Sequence, residues 1–72
     1  MLEVWTIYDH PKDFPTLYVA RKFICESGRV RPTEDMMADP SIERLREALA
    51  GMGLVALSRA GADDPLIVET WL

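Results

Sequence analysis

The side chains best suited to acid–base chemistry lie close together near the start of the chain. His10 is the only histidine and directly follows Asp9, and an imidazole held by a carboxylate can titrate near neutral pH. Asp13, Tyr18 and Arg21 follow shortly after and could line a cleft with it. Adjacent residues rarely face each other, however, so a solvated turn is the simpler interpretation of Asp9 and His10. The segment therefore remains an alternative ligand site, in which we assign no catalytic residue.

The sequence gives little indication of a metal or cofactor. His10 with Asp9 and Asp13 would be a weak and nonspecific ligand set. Cys25 is the only cysteine, which excludes an intramolecular disulfide and a cysteine-based zinc cluster. Beside Phe23 on a strand, it is expected to be a small buried apolar group. We therefore expect neither a metal nor a cofactor.

Four basic residues form a second candidate group. They are Arg21, Lys22, Arg29 and Arg31. At a sheet edge they could meet a phosphate or an acidic partner, which makes nucleic-acid contact a further hypothesis. The whole chain carries 12 acidic against 8 basic residues, a formal charge of −4, and this balance disfavours nucleic acid and anionic membranes as partners. The simpler interpretation is a solvated sheet edge whose charges discourage aggregation.

The length and composition of the chain predict the kind of protein to which these residues belong. With 72 residues, 49% of them hydrophobic, the chain predicts a single domain spanning residues 1–72 with one core. Such a core supplies roughly 3–5 kcal/mol, so stabilisation by a partner or a second copy is plausible. We find no secretory signal and no apolar run near the length of about 20 residues that spans a bilayer. We therefore expect a cytoplasmic protein without membrane contact.

Two apolar segments, residues 2–8 and 66–72, predict strands that pair with each other in the middle of a sheet. The first is rich in β-branched and aromatic residues on both of its faces. Residues 17–26 predict a second strand, which ends in a turn at Ser27 and Gly28. Residues 29–39 are ambiguous between strand and helical turn, and we favour an extended conformation. Residues 54–58 predict another strand, with a turn at 61–65.

One helix is predicted between these strands. Asp39 can cap it and Pro40 can occupy its first position. Apolar residues then recur at helical spacing, at Ile42, Leu45, Leu49 and Met52. Gly51 or Gly53 can end the helix in a left-handed conformation. The fold class is therefore α+β, a mostly antiparallel four-stranded sheet in the order strand, strand, helix, strand, strand, with the helix on one face.

One sheet face should remain uncovered by this packing. A helix of roughly 11 residues is about 16 Å long, too short to cover both faces of the sheet. The apolar patch left over contains either Trp5 and Trp71 or Val4, Val68 and Leu72. Such patches often mark association surfaces, in which tryptophan is enriched. The alternative, equally open, is that the loop with Phe14 and the segment with Met36 and Met37 fold over this face.

The opening of the chain resembles a group of short bacterial and prophage-encoded proteins without an established activity. The similarity rests on the run V-W-T-I-Y-D-H-P-x-D-F-P at residues 4–15, on Tyr18-Val19-Ala20-Arg21 and on the ending at residues 64–72. It implies a bacterial cytoplasmic origin and nothing about mechanism.

Two classes of function thus follow from the sequence. We favour a small non-catalytic protein-interaction module that acts through an apolar sheet face or edge, on another protein or on itself as a homodimer. Its surface would include Trp5, Trp71, Arg21, Lys22, Arg29 and Arg31. The alternative is a small enzyme or ligand-binding protein that uses the region from Asp9 to Arg21.

Overall fold

The computed structural model describes residues 1–57 and 67–72. Its elements are β1 (Leu2–Asp9), β2 (Tyr18–Glu26), β3 (Arg29–Asp39), α1 (Ile42–Gly51), β4 (Ala56–Leu57) and β5 (Ile67–Trp71). The turn predicted at residues 61–65, and residues 58 and 66 of the predicted strands, lie outside the described residues.

The strands form one open antiparallel sheet in the order β3-β2-β1-β5-β4. The α+β class and the single helix are confirmed for the described chain, but the sheet has five strands where the sequence predicts four. The additional strand is β3, which covers the segment 29–39 for which the sequence favours an extended conformation. Its charged residues and its proline obscure the strand pattern, and an edge position tolerates both.

The two apolar segments at the ends of the chain are neighbours in the sheet, as predicted. β1 lies between β2 and β5. Trp5 is directly opposite Trp71, and Thr6 is opposite Thr70. Both neighbours are antiparallel: β2 pairs along the whole of β1, whereas β5 pairs with residues 5–8 of it.

The β2–β3 connection is a two-residue hairpin. Ser27 and Gly28 both have positive φ, 50° and 76°, and Glu26 pairs with Arg29 on either side of them. Positive φ at both central residues defines the type I′ turn, whose twist matches that of the flanking strands. The turn predicted here is confirmed, and it fixes the register of β3 on β2.

The ends of α1 follow from local hydrogen bonds. The N-cap is Ser41, so the predicted start at Pro40 is two residues early. The Asp39 carboxylate instead accepts a hydrogen bond from the Ser41 backbone N–H at 2.8 Å. At the other end, Gly53 has φ 83°, and the N–H groups of Gly53 and Leu54 donate to the carbonyls of Ala50 and Leu49. This pair of bonds is a Schellman motif, which confirms the predicted stop.

The helix covers one face of the sheet. Leu45 and Leu49 pack on this face with Trp5, Ile7, Ala20 and Trp71, which form the buried core cluster. The buried core therefore extends only over the area of the sheet that this ten-residue helix covers. Within residues 1–57 and 67–72, no helix has the length and hydrophobicity to cross a membrane.

A β-bulge changes which residues of β5 face the helix. Ile7 pairs with Glu69 but the next residue, Tyr8, pairs with Ile67, so Val68 has no partner in the register. Val68 packs against the core, whereas Ile67 lines a depression on the other face. The strict alternation expected for this strand is therefore broken at Val68, because a bulge places an extra residue opposite one partner.

Candidate interaction surface

Most of the large exposed apolar side chains of the described residues lie on the sheet face opposite the helix, which we call the open face. Its members follow from the strand register and from the alternation of side chains along each strand. They include Leu2, Val4, Thr6, Tyr8, Arg21, Phe23, Cys25, Val30, Met36, Val55, Leu57, Ile67, Thr70 and Leu72. Each of the five strands contributes to it or borders it.

Large exposed apolar side chains concentrate on the open face. Among the described residues they are Met1, Leu2, Val30, Met36, Met52, Val55, Leu57 and Leu72. All but Met1 and Met52 lie on the open face or at its rim. Val30 is 67% exposed and Leu57 is 45% exposed. Isolated apolar residues on a surface need no explanation, but a contiguous group on one face indicates a binding surface.

A shallow depression lies in the centre of this face. It has a volume of about 520 Å³ and is lined by Val4, Thr6, Tyr8, Phe23, Cys25, Val30, Ile67 and Thr70. Most of this lining is aliphatic or aromatic, and none of it is charged. The depression therefore suits an apolar side chain better than a polar metabolite.

One end of the open face is already partly closed. Val19 belongs to this face through its pairing with Tyr8 and is completely buried. In the β1–β2 loop, which joins Asp9 to Tyr18, Pro11 is buried and Phe14 is half-buried. The loop also supplies Asp13, whose carboxylate accepts a hydrogen bond from Arg21 at 2.7 Å. The predicted lid around Phe14 thus borders one end, while the segment with Met36 and Met37 extends the sheet as part of β3.

Trp5 and Trp71 lie on the helix-covered face, not on the open one. They are 7% and 8% exposed and belong to the core cluster. Neither is therefore available as the centre of a free interaction surface. Of the other predicted patch, Val4 and Leu72 lie on the open face, whereas Val68 packs against the core.

A polar network under the helix holds Trp71 in place. The Glu69 carboxylate accepts hydrogen bonds from Arg46 Nε at 2.9 Å and from Trp71 Nε1 at 3.0 Å. Arg46 also donates to Glu43 at 2.6 Å. Burial acts to raise the pKa of Glu69, but the hydrogen bonds from Arg46 and Trp71 and the positive charge of Arg46 outweigh it, so the pKa is lowered. The network connects α1 to β5 and serves the fold.

The four basic residues do not form one cationic surface. Arg21 lies on the open face with Asp13, whereas Lys22 follows it on the opposite face and contacts Glu3 at 3.1 Å and Asp35 at 3.5 Å. The hydrogen bond to Glu3 raises the pKa of Lys22, so the side chain stays positively charged. That charge is paired with the two carboxylates.

The other two basic residues lie at the β2–β3 hairpin. Arg31 is 3.9 Å from Glu26. Arg29, Arg31, Glu26 and Ser27 line a polar concavity of about 540 Å³ beside the turn. Three of the four cations are therefore neutralised by carboxylates, which weakens any attraction for nucleic acid.

The alternative ligand site is divided between two parts of the sheet. Asp9 and His10 contact each other through Oδ1 and Nδ1, and the His10 ring meets the Tyr18 ring edge-on at 4.8 Å. Tyr18 packs against the core on the helix side, whereas Arg21 and Asp13 pair at the open face. The two concavities described above include none of these five residues. Within the described chain, no group of three or more histidine, cysteine, aspartate or glutamate residues is arranged to hold a metal ion.

The residues that define the open face were mostly absent from the sequence-based candidates. Val30 and Leu57 lie on the two edge strands, and their apolar character is visible in the sequence. Only the register shows that Val30 continues the row of Leu2 and Cys25. It also shows that Leu57 continues the row of Thr6 and Thr70. The chain matches no protein-family model, no curated protein and no solved structure. The resemblance to bacterial and prophage-encoded proteins remains a prediction.

Proposed function

We propose that this protein is a small non-catalytic binding module and that the open face is the surface with which it contacts another protein chain. The observation that carries the proposal is the concentration of exposed apolar side chains on that face. Proteins that act alone seldom leave such a surface in water, because covering it lowers the free energy.

The structure of the two sheet edges supports the open face, rather than a sheet edge, as the binding surface. β3 contains Pro32, which cannot donate to an added strand, and its register shifts between the partners of Arg21 and Phe23. Proline, bulges and exposed charges are the usual protection of an edge against strand addition. At the other edge β4 has only two residues. Neither described edge offers a long straight template for a partner strand.

Neither the ligand-site hypothesis nor the nucleic-acid hypothesis has its candidate residues concentrated on one surface of the described chain. The five residues of the alternative ligand site are split between the helix side and the open face. The basic residues are largely paired with carboxylates. An interaction module therefore accounts for more of the described surface than an enzyme or a nucleic-acid-binding protein does.

Site-specific photo-crosslinking in extract of cells that express the protein tests this proposal. A photoreactive amino acid replaces Val30 or Leu2 on the open face, and Met52, which is 52% exposed at the end of α1, is the matched control position. We expect protein adducts from positions 30 and 2 and far fewer from position 52. Equal labelling at all three positions, or no adducts from the open face, would contradict the proposal. The mass of the adduct separates a second copy from a different protein.

A further inference from the structure

We infer that the occupant of the open face is a second copy of this chain, so that two sheets pack face to face with the two helices on the outside. The inference rests on the proposed function, since it names the partner of the same surface. Three features of the described residues support it: the charge of the face, the layers of the fold and the size of the face.

The charge of the open face suits a copy of itself. Among its register-paired residues, Arg21 is the only charged one, and Asp13 neutralises it from the adjoining loop. In a two-fold interface the same patch meets itself, so any net charge would be opposed by a like charge. The register-paired part of the patch carries no net charge and avoids that repulsion, and the exposed Glu34, between Pro32 and Met36, lies on the edge strand β3. Depletion of charged residues is also what distinguishes the centres of homodimer interfaces.

The layers of the fold point to a sheet as the missing partner. An antiparallel sheet can leave one face in water when that face is polar, but the open face carries exposed apolar side chains, and their burial needs a second layer. Here α1 covers one face, and no described residue outside the sheet and the β1–β2 loop is available for the other. Two sheets pack about 10 Å apart, with strands aligned within about 30°. A second copy supplies such a layer and gives the order helix, sheet, sheet, helix.

The size of the open face comes close to the lower limit for a specific dimer. The five strands contain 35 residues, and each covers about 16 Å² of the sheet, which gives roughly 550 Å² per copy. Two copies would bury about 1,100 Å² in total, just under the roughly 1,200 Å² at the lower end of the range for specific interfaces. We therefore expect a dimer of moderate affinity that dissociates on dilution.

Sedimentation equilibrium of the wild-type chain between about 1 µM and about 1 mM tests the inference. We expect the mass to rise from 8.2 kDa towards twice that value. Phe23→Glu would place an unpaired charge in each half of the interface and weaken association at least about 100-fold. Val30→Lys, at an edge-strand position that is 67% exposed, should weaken association in the same direction. Met52→Glu is the control and should leave association unchanged.

Two outcomes would overturn the inference. The first is a wild-type mass that stays at 8.2 kDa over the whole range. The second is association that both Phe23→Glu and Val30→Lys leave intact, with circular dichroism showing that both variants fold. If the wild type is monomeric but positions 30 and 2 crosslink to a different protein, the second copy is excluded and the proposed function stands. If the wild type is monomeric and positions 30 and 2 give no adducts, both the second copy and the proposed function are excluded.

Discussion

Trp5 and Trp71 lie directly opposite each other on β1 and β5, and both are buried beneath α1. This pair joins the two ends of the described chain in the core. Among the described residues no helix covers the reverse side of β1 and β5, so the placement of the tryptophans determines which face is free for binding.

Truncation of either tryptophan should unfold much of the protein. Trp5→Ala or Trp71→Ala removes a buried indole, and such changes cost about 3–5 kcal/mol. A domain of this size has roughly the same amount of stability in total. Urea denaturation followed by circular dichroism measures the effect, with Met52→Ala at an exposed position as the control. A loss below about 1 kcal/mol would mean that the indoles are not in the core.

The fold around these tryptophans is partly predictable from the sequence. The pairing of residues 2–8 with the last strand follows from the apolar character of both segments. The face on which Trp5 lies does not follow, because β1 carries apolar residues on both faces and alternation alone cannot say which one the helix covers. The bulge at Val68 is equally invisible to a strict alternation.

The open face is harder to predict because one of its edge strands, β3, has an unfavourable local sequence. Pro32 and neighbouring acidic residues lower the strand propensity of β3, and its pairing with β2 overrides that preference. The concentration of Val30, Met36 and Leu57 on one side appears only when the register aligns distant segments. The hairpin turn and the helix stop were predictable because Gly28 and Gly53 act locally.

Glu69 should make the stability depend on pH in the acidic range. Its pKa in the folded protein is lowered, so its contribution is present above the unfolded value of about 4.3 and is lost as the pH falls through the folded value. Glu69→Gln removes this contribution and should lower the free energy of unfolding by about 1 kcal/mol at neutral pH.

Urea denaturation at a series of pH values provides the measurement. Wild type should lose more stability than Glu69→Gln between pH 7 and about pH 3. Glu43→Gln is the control, since this exposed carboxylate binds the same Arg46 from the solvent side. A wild type and a Glu69→Gln variant with the same pH dependence would argue against the half-buried ion pair of Glu69 with Arg46.

Two glycines at the end of α1 should respond oppositely to alanine. Neither Gly51 nor Gly53 has an atom within 4 Å of an added Cβ, but only Gly53 has a positive φ. Gly53→Ala should therefore destabilise by about 1–2 kcal/mol through backbone strain. Gly51→Ala should be neutral or stabilise by up to about 1 kcal/mol, because alanine favours the helix. Equal effects of the two changes in urea denaturation would contradict the Schellman ending.

The ion pair at the end of the open face should affect association slightly. Asp13→Asn leaves Arg21 without its neutralising carboxylate, so two like charges approach the dimer interface. We expect association to weaken about two- to fivefold, the scale of an exposed ion pair. Arg21→Met combined with Asp13→Asn removes the charge and should restore association. Sedimentation equilibrium compares the three proteins, and a tighter Asp13→Asn dimer would be contrary to this account.

The alkylation rate of Cys25 tests the central claim most directly, because this thiol lines the depression of the open face and is the only cysteine. The rate is measured on dilute protein, at about 1 µM, and on concentrated protein, at about 500 µM. A control protein with Cys25→Ala and Met52→Cys carries its thiol away from the face. The account predicts that Cys25 reacts several-fold more slowly at high concentration while the control thiol does not change. A Cys25 rate independent of concentration would contradict it.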